Sequence, residues 1–240
     1  PIVGVPKTID DDIAGTTSTC GFDTAVAFAT EAIDRLHTTA EAHRRIMVVE
    51  VMGRYSGWIA LHAGLAGGAD AILVPEIPFD LSVVADRLLE RDRWGAHFSI
   101  VVVAEGAYPS GGTRSIVESA HGGRSERLGG IGTYVASALG ALTGKETRTV
   151  SLGHLQRGGA PTSFDRLLAT RFGWKAVELL KAGEFGTMVA FDPPEIVSRP
   201  LSEVVGSTKT VRTDSDLLAA AKALGITFGA PVAALAIEPA

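Results

Sequence analysis

Cysteine is almost absent: Cys20 is the single one in 240 residues, so no internal disulfide can form and a reducing, cytoplasmic setting is the expectation. Long apolar runs are missing too. The best, Phe98 to Ala104, is strand-sized against the about 18 residues that a membrane span needs, which argues against a membrane protein. There is no basic excess: 22 basic against 27 acidic residues leave a net charge of −5, which argues against duplex nucleic acid as the main partner. No signal peptide, low-complexity linker or internal repeat stands out. Nor is there an initiator methionine. The chain opens on Pro1 and runs directly into Ile2–Val5, so it is expected to be the later part of a longer protein.

What is present is core-forming material, 46% hydrophobic with 20% charged, which excludes a disordered tail. Helix and strand patterns alternate along it. Strands are expected at Ile2 to Val5, Ile46 to Val51, Ala71 to Val74, Ile100 to Ala104, Thr147 to Leu152 and Met188 to Phe191. The first helix carries Phe22, Val26, Ala29, Ile33 and Leu36 on one face. Others are expected at Trp58 to Leu65, Leu81 to Leu89, Thr133 to Leu142 and Asp216 to Leu224. A long one from Ser163 to Leu180 places Phe164, Leu167, Leu168, Phe172, Ala176 and Leu179 on one stripe. Gly106 to Gly123 reads as a long functional loop. The strand runs are continuously apolar, which predicts parallel sheets covered by helices on both faces.

Such folds bind ligands outside the carboxyl ends of their strands, so the residues after each strand carry the information. Lys7, Thr8 and Ile9 lead into Asp10-Asp11-Asp12 after the first; Met52-Gly53-Arg54 follow the second and Glu105-Gly106 the fourth. His154-Leu155-Gln156-Arg157-Gly158-Gly159 come after the fifth. Adjacent acids in a cleft need a cation, and magnesium favours one or two carboxylates plus phosphate oxygens. A second carboxylate suits a general base; the competing reading is a solvated acidic turn. Arg54 suits a phosphoryl oxygen, or else an ordinary ion pair with Glu50. His154 and Arg157 before paired glycines suit an anion cradle, while a lone histidine is more often structural. Cys20, at a helix start, is either a thiol of lowered pKa or a small packed residue. Gly129-Gly130-Ile131-Gly132 lacks the later glycine of a dinucleotide fingerprint and is rejected as one. The 16 arginines against 6 lysines suit phosphate recognition, but genomic base composition produces the same bias.

Three of these segments, Pro6 to Asp12, Met52 to Arg54 and Gly153 to Gly159, together resemble signatures of the phosphofructokinase family, in family order with Glu105 between the last two. The resemblance covers Pro1 to roughly Ala190. It implies phosphoryl transfer to the C1 hydroxyl of fructose 6-phosphate in glycolysis, with Mg2+ and with ATP as donor, pyrophosphate being the alternative. By that resemblance Asp10 is the base, Thr8 contacts the transferring phosphoryl group, Arg54 stabilises its charge and Asp12 holds magnesium. Met52 and Glu105 contact the sugar, and His154 and Arg157 its 6-phosphate, with Ile9, Gly53, Leu155 and Gln156 completing the substrate set. Arg45 and Arg148 match positions that reach across a subunit interface to the same phosphate, which implies a homo-oligomer, a dimer or tetramer. Lys7 stands where many ATP-dependent members have Gly. Lysine there is typical of pyrophosphate-dependent members and of one ATP-dependent bacterial lineage, which Ser56 to Asp70 and Val103 to Ala107 resemble.

Two departures follow from the same comparison. Asp11 stands where the family usually has Asn, and it is expected to raise the pKa of Asp10 or to attract a further cation. The family's glycine-rich donor loop, ending in an aspartate, precedes the segment present here. A non-catalytic sugar-phosphate module or regulatory subunit is therefore the second function class. A third, a related kinase acting on a lipid or NAD, predicts no His154–Arg157 pair. The implied fold is α/β, two three-layer, Rossmann-like halves with parallel sheets, incomplete at the N-terminus. Residues 1–21 with 156–206 form the donor half, and 22–155 with 207–240 the sugar-phosphate half.

Overall fold

The computed structural model describes residues 1–114, 116–118 and 127–230, with backbone alone at 116–118 and 127. Part of the Gly106 to Gly123 loop, and residues 231–240 of the expected tail, thus lie outside the described residues. In chain order the first elements are β1 (Val3–Gly4), β2 (Lys7–Thr8), β3 (Cys20–Gly21), α1 (Phe22–His43), β4 (Ile46–Val51), α2 (Trp58–Ala66) and β5 (Ala71–Leu73). Then come α3 (Leu81–Arg93), β6 (Ser99–Ala104), β7 (Ile116–Glu118), β8 (Arg127–Leu128), α4 (Ile131–Thr143) and β9 (Thr147–Ser151). A 3-10 turn at Gly153–Arg157 leads to α5 (Ser163–Ala182), β10 (Thr187–Asp192), β11 (Glu195–Pro200), α6 (Leu201–Val204) and α7 (Asp216–Ala223).

The larger sheet has order β5-β6-β4-β9 and is parallel throughout. Side chains alternate between its faces with period two, and both faces are covered. Met47, Val49 and Val51 of β4 join α1, α2 and α7 in one core, while Ile46 and Val48 join α3 and α4 in the other. Burial on both sides is why β4 and β6 are apolar throughout except at Glu50 and Ser99. Each fully buried Val or Ile contributes about 1.5–3 kcal/mol of transfer free energy.

The smaller sheet has order β1-β10-β11. β1 pairs parallel to β10, but β11 runs antiparallel to it through a turn at Pro193 and Pro194. Sequence patterning ended this region at the two prolines. The hairpin was missed because Glu195–Pro200 is polar and only partly buried, with no alternation to mark it. On α5 the expected stripe is narrower than its sequence pattern. Leu168, Phe172, Ala176 and Leu179 pack on Val189 and Ile196, while Phe164 and Leu167 are exposed.

α1 and α5 start beside each other, and a residue of α5 caps α1. α1 opens at Gly21 (φ 104°), a backbone conformation that glycine adopts freely, and has no capping side chain of its own. Its cap comes from α5: Asp165 accepts from the Gly21 and Thr24 amides at 2.8 Å each and from the Thr24 hydroxyl at 2.5 Å. In return the Thr162 hydroxyl, at the N-cap of α5, donates to Asp23 at 2.5 Å. This exchange ties the β4 sheet to the β10 sheet.

Candidate active site

Four loops at the carboxyl ends of the strands are fastened to one another. The Gly106 amide donates to the Gly53 carbonyl at 3.0 Å, and a Cβ on Gly106 would lie 2.0 Å from the Arg54 carbonyl oxygen. Only glycine fits that approach. The Gln156 side chain accepts from the Met52 amide at 3.3 Å, and Arg157 Nε lies 3.4 Å from Met52 Sδ. Ser56 Oγ donates to the Asp10 carbonyl at 2.9 Å. Asp10, Arg54, Glu105 and Arg157 are thereby brought together from segments up to 147 positions apart, the span from 10 to 157.

The three adjacent acids have three different environments. Thr8 Oγ1 accepts from the Asp10 amide at 3.1 Å and tightens the turn. Asp10 Oδ1 is buried and has no hydrogen-bond partner. A buried acceptor without a donor costs free energy unless something else donates to it. Asp11 is the reverse: at φ 54° it turns into the protein, where Thr19 and Lys209 saturate it. Asp12 remains half-buried, and its carbonyl accepts from the Lys209 amide at 2.8 Å.

The electrostatics follow from this placement. Burial raises the carboxyl of Asp10 above its ordinary value and Asp12 raises it further, while Arg157 and Arg54 pull it down. Burial likewise raises Glu105, with Asp10 adding to the rise and Arg54 opposing it. The charge that raises Asp10 is Asp12, where Asp11 was expected, and the cation that meets Asp11 is the protein's own Lys209.

The other expected residues fall into two groups. Lys7, Ile9, Gln156, Arg157, Gly158 and Gly159 line a cavity of about 600 Å³, with Arg166 on the same wall. His154 and Leu155 are exposed on the same turn. Gly53 is buried with φ 133° and shapes the Arg54 loop. Gln156 is 1% exposed, and its side chain is spent on Gly153 and Met52, so its place on the cavity wall is that of a tie between two loops. Arg45 and Arg148 lie at the far, amino end of the sheet, both paired with Glu146. β4 has six residues, so roughly 20 Å of strand separates that pair from Arg54.

Two alternatives left open by the sequence, at Arg54 and at Cys20, are now decided. Glu50 does not pair with Arg54: its carboxylate accepts from the Gly132 amide at 2.8 Å and the Ser151 hydroxyl at 3.1 Å. The start of α4 is thus filled by a carboxylate, which also disposes of the Gly129–Gly132 segment as a nucleotide cradle. Cys20 is no low-pKa thiol; burial, and Asp165 beside it, push it up to about 11. Sequence reasoning missed Ser56, Asp165 and Lys209. A Thr162-to-Asp165 spacing marks a helix start, but nothing local tells that Asp165 caps a different helix.

Comparison with known proteins points one way. The family model described as Phosphofructokinase matches residues 1–180. ATP-dependent 6-phosphofructokinase of Chloroflexus aurantiacus is 58% identical over 229 residues, 95% of this chain and 63% of that protein. Pyrophosphate–fructose 6-phosphate 1-phosphotransferase of Amycolatopsis methanolica is 57% identical over 213 residues, 88% of this chain and 62% of that protein. Among solved structures, phosphofructokinase from Saccharomyces cerevisiae matches with TM-score 0.73 and 34% identity, over 93% of this chain and 27% of that one. The chain therefore spans 63% of the length of its Chloroflexus relative.

Proposed function

Because the chain belongs to the phosphofructokinase family, we propose that the intact protein transfers a phosphoryl group from ATP to the C1 hydroxyl of D-fructose 6-phosphate, giving fructose 1,6-bisphosphate. The observation that carries this reading is the buried Asp10 Oδ1 with no donor of its own, beside Arg54 and Arg157. A substrate hydroxyl supplies the missing donor, and Asp10 takes its proton as the oxygen attacks. Arg54 balances charge on the transferring group, where such a donor is worth about 3 kcal/mol. Thr8 contacts that group, Met52 and Glu105 hold the sugar, and His154 and Arg157 take its 6-phosphate. Ile9, Gly53, Leu155 and Gln156 keep those contacts in register.

Among the described residues no group of three or more His, Cys, Asp or Glu could hold a metal by itself. Magnesium takes one or two carboxylates and completes its shell with phosphate oxygens and water, and Asp12, half-buried beside Asp10, is the carboxylate that would hold it here. Bound with the donor, magnesium neutralises charge on the phosphates. Arg45 and Arg148, roughly 20 Å from the site in their own protomer, serve a neighbouring subunit's site in a homo-oligomer. A soluble glycolytic role in the cytoplasm belongs to the same proposal.

Pyrophosphate is the second donor reading, favoured by one observation: the exposed Lys7 on the wall of the 600 Å³ cavity puts a cation where a phosphate would lie. The intact gene product, assayed with fructose 6-phosphate and magnesium and with ATP or pyrophosphate in parallel, tests both. Bisphosphate from ATP alone is expected. Product from pyrophosphate alone replaces the donor, and binding of fructose 6-phosphate without product from either leaves a sugar-phosphate module.

A further inference from the structure

We infer that Lys209 is a positioning residue for the Asp10–Asp12 turn: it holds Asp11 inward, so that Asp10 alone of the first two acids faces the site. The inference rests on the function proposed above. Lys209 lies beyond residues 1–180, the span matched by the family model, and in none of the strand-end motifs. Its Nζ lies 2.7 Å from Asp11 Oδ2, 2.9 Å from the Thr17 carbonyl and 3.2 Å from the Thr16 carbonyl, which uses all three ammonium donors. The same Nζ is 5.5 Å from the centre of the Trp58 ring.

Its backbone is engaged as fully. The Lys209 amide donates to the Asp12 carbonyl at 2.8 Å, the Trp58 indole donates to the Lys209 carbonyl at 3.0 Å, and neighbouring Thr208 bridges to Ile13. Two residues on, the Val211 amide donates to Glu76 at 2.8 Å, and the same carboxylate accepts from the Gly57 amide at 3.0 Å. Residues 208–211 thus form a strap from the acidic turn to Gly57, just ahead of α2 and three residues after Arg54. A strap of this kind sets both the Asp10 side chain and the Arg54 loop.

The ion pair explains why an acid is tolerated at position 11. Asp11 is 4% exposed, adjoins two further carboxylates and has φ 54°, which few non-glycine residues adopt. Without Lys209 its charge would be buried with only the Thr19 donors, and the turn would relax toward water. Asp10 would move with it. The 6-phosphate contacts, on the turn after β9, would not.

The test uses the intact protein with Lys209→Met, Lys209→Arg, Asp11→Asn and the double variant, beside Arg87→Met as a variant weakened far from the site. A misplacement of about 1 Å predicts a kcat loss of about 10- to 100-fold for Lys209→Met, with the KM for fructose 6-phosphate changed less than about threefold. Amide exchange in the Thr8–Gly21 segment should quicken at least about tenfold while β4 stays protected. Lys209→Arg should restore most of the turnover. The double variant should turn over no more slowly than Lys209→Met, because it removes the stranded charge. Arg87→Met, at a matched fall in Tm, should keep kcat within about twofold.

Wild-type kcat and exchange in Lys209→Met overturn the inference, and so does an equal kcat loss in Arg87→Met. Should Lys209→Met fail to fold, Lys209→Gln decides: it keeps a polar side chain on the strap but removes the charge that holds Asp11 inward, and wild-type exchange and kcat in it overturn the inference. If the wild-type protein makes no bisphosphate, the proposed function fails on its own, and exchange alone then decides for or against Lys209.

Discussion

At the amino end of the β5-β6-β4-β9 sheet, charges meet partners: Arg45 and Arg148 pair with Glu146, Asp70 with Arg91, and Asp92 with Lys145. At the carboxyl end, Asp10, Glu105, Arg54 and Arg157 influence one another but form no direct ion pair among the described residues. β4, β6 and β9 run from one arrangement to the other, so the difference is not one of fold. Pairing charges stabilises a structure or costs it little. Leaving charges such as Asp10, Arg54 and Glu105 half-buried and unpaired costs stability, and it persists where a ligand supplies the missing partner.

Substitutions at the two ends should therefore fail differently. The largest effect is expected from Asp10→Asn, with turnover of the intact protein down about 10²- to 10⁴-fold and the KM for fructose 6-phosphate changed only a few-fold. Equal losses in both would remove Asp10 from the role of base. Next comes Arg157→Ala, which should raise that KM about 10- to 100-fold by deleting a charge-assisted phosphate contact, and lower kcat less. An unchanged KM would make the turn after β9 purely structural.

At the other end, Arg91→Met should spare the chemistry and cost stability. Burial raises the Asp70 carboxyl above its ordinary value, against the pull of the Ile100 amide and Arg91. A folded pKa above the unfolded one means that ionisation of Asp70 costs stability as pH rises through the folded value, and Arg91 offsets that cost. The substitution should thus cost about 2–3 kcal/mol at pH 7 and progressively less as pH falls through the raised pKa of Asp70, read as Tm against pH. A penalty that grows on acidification would contradict the pairing. Smallest of all, Glu146→Gln, at an exposed carboxylate, should leave Tm unchanged; a clear fall would mean that the pairing there is not merely superficial.

How much of this was legible depended on whether the deciding contact is local. Ile46–Val51 and Ser99–Ala104 announce themselves because both faces are buried, and the strand-end rule then leads directly to Arg54, Glu105 and Arg157. The acidic turn was visible, but the division of labour within it was not. Which of Asp10 and Asp11 stays open depends on Lys209, 198 positions beyond Asp11, in a Ser-Thr-Lys-Thr stretch with no pattern of its own. Gln156 lines the cavity with its neighbours, but its side chain is spent joining Met52 to Gly153, contacts between loops that no local pattern shows. Glu195–Pro200 and the Asp165 cap escaped for the same reason, since their partners lie in other elements.

The central claim is that Asp10 Oδ1 waits for a donor from the substrate, and a structure of the intact protein with fructose 6-phosphate tests it most directly. The account predicts the C1 hydroxyl within about 3 Å of Oδ1, with the 6-phosphate at His154 and Arg157. A sugar bound elsewhere, or bound there with Oδ1 still lacking a partner, would contradict it.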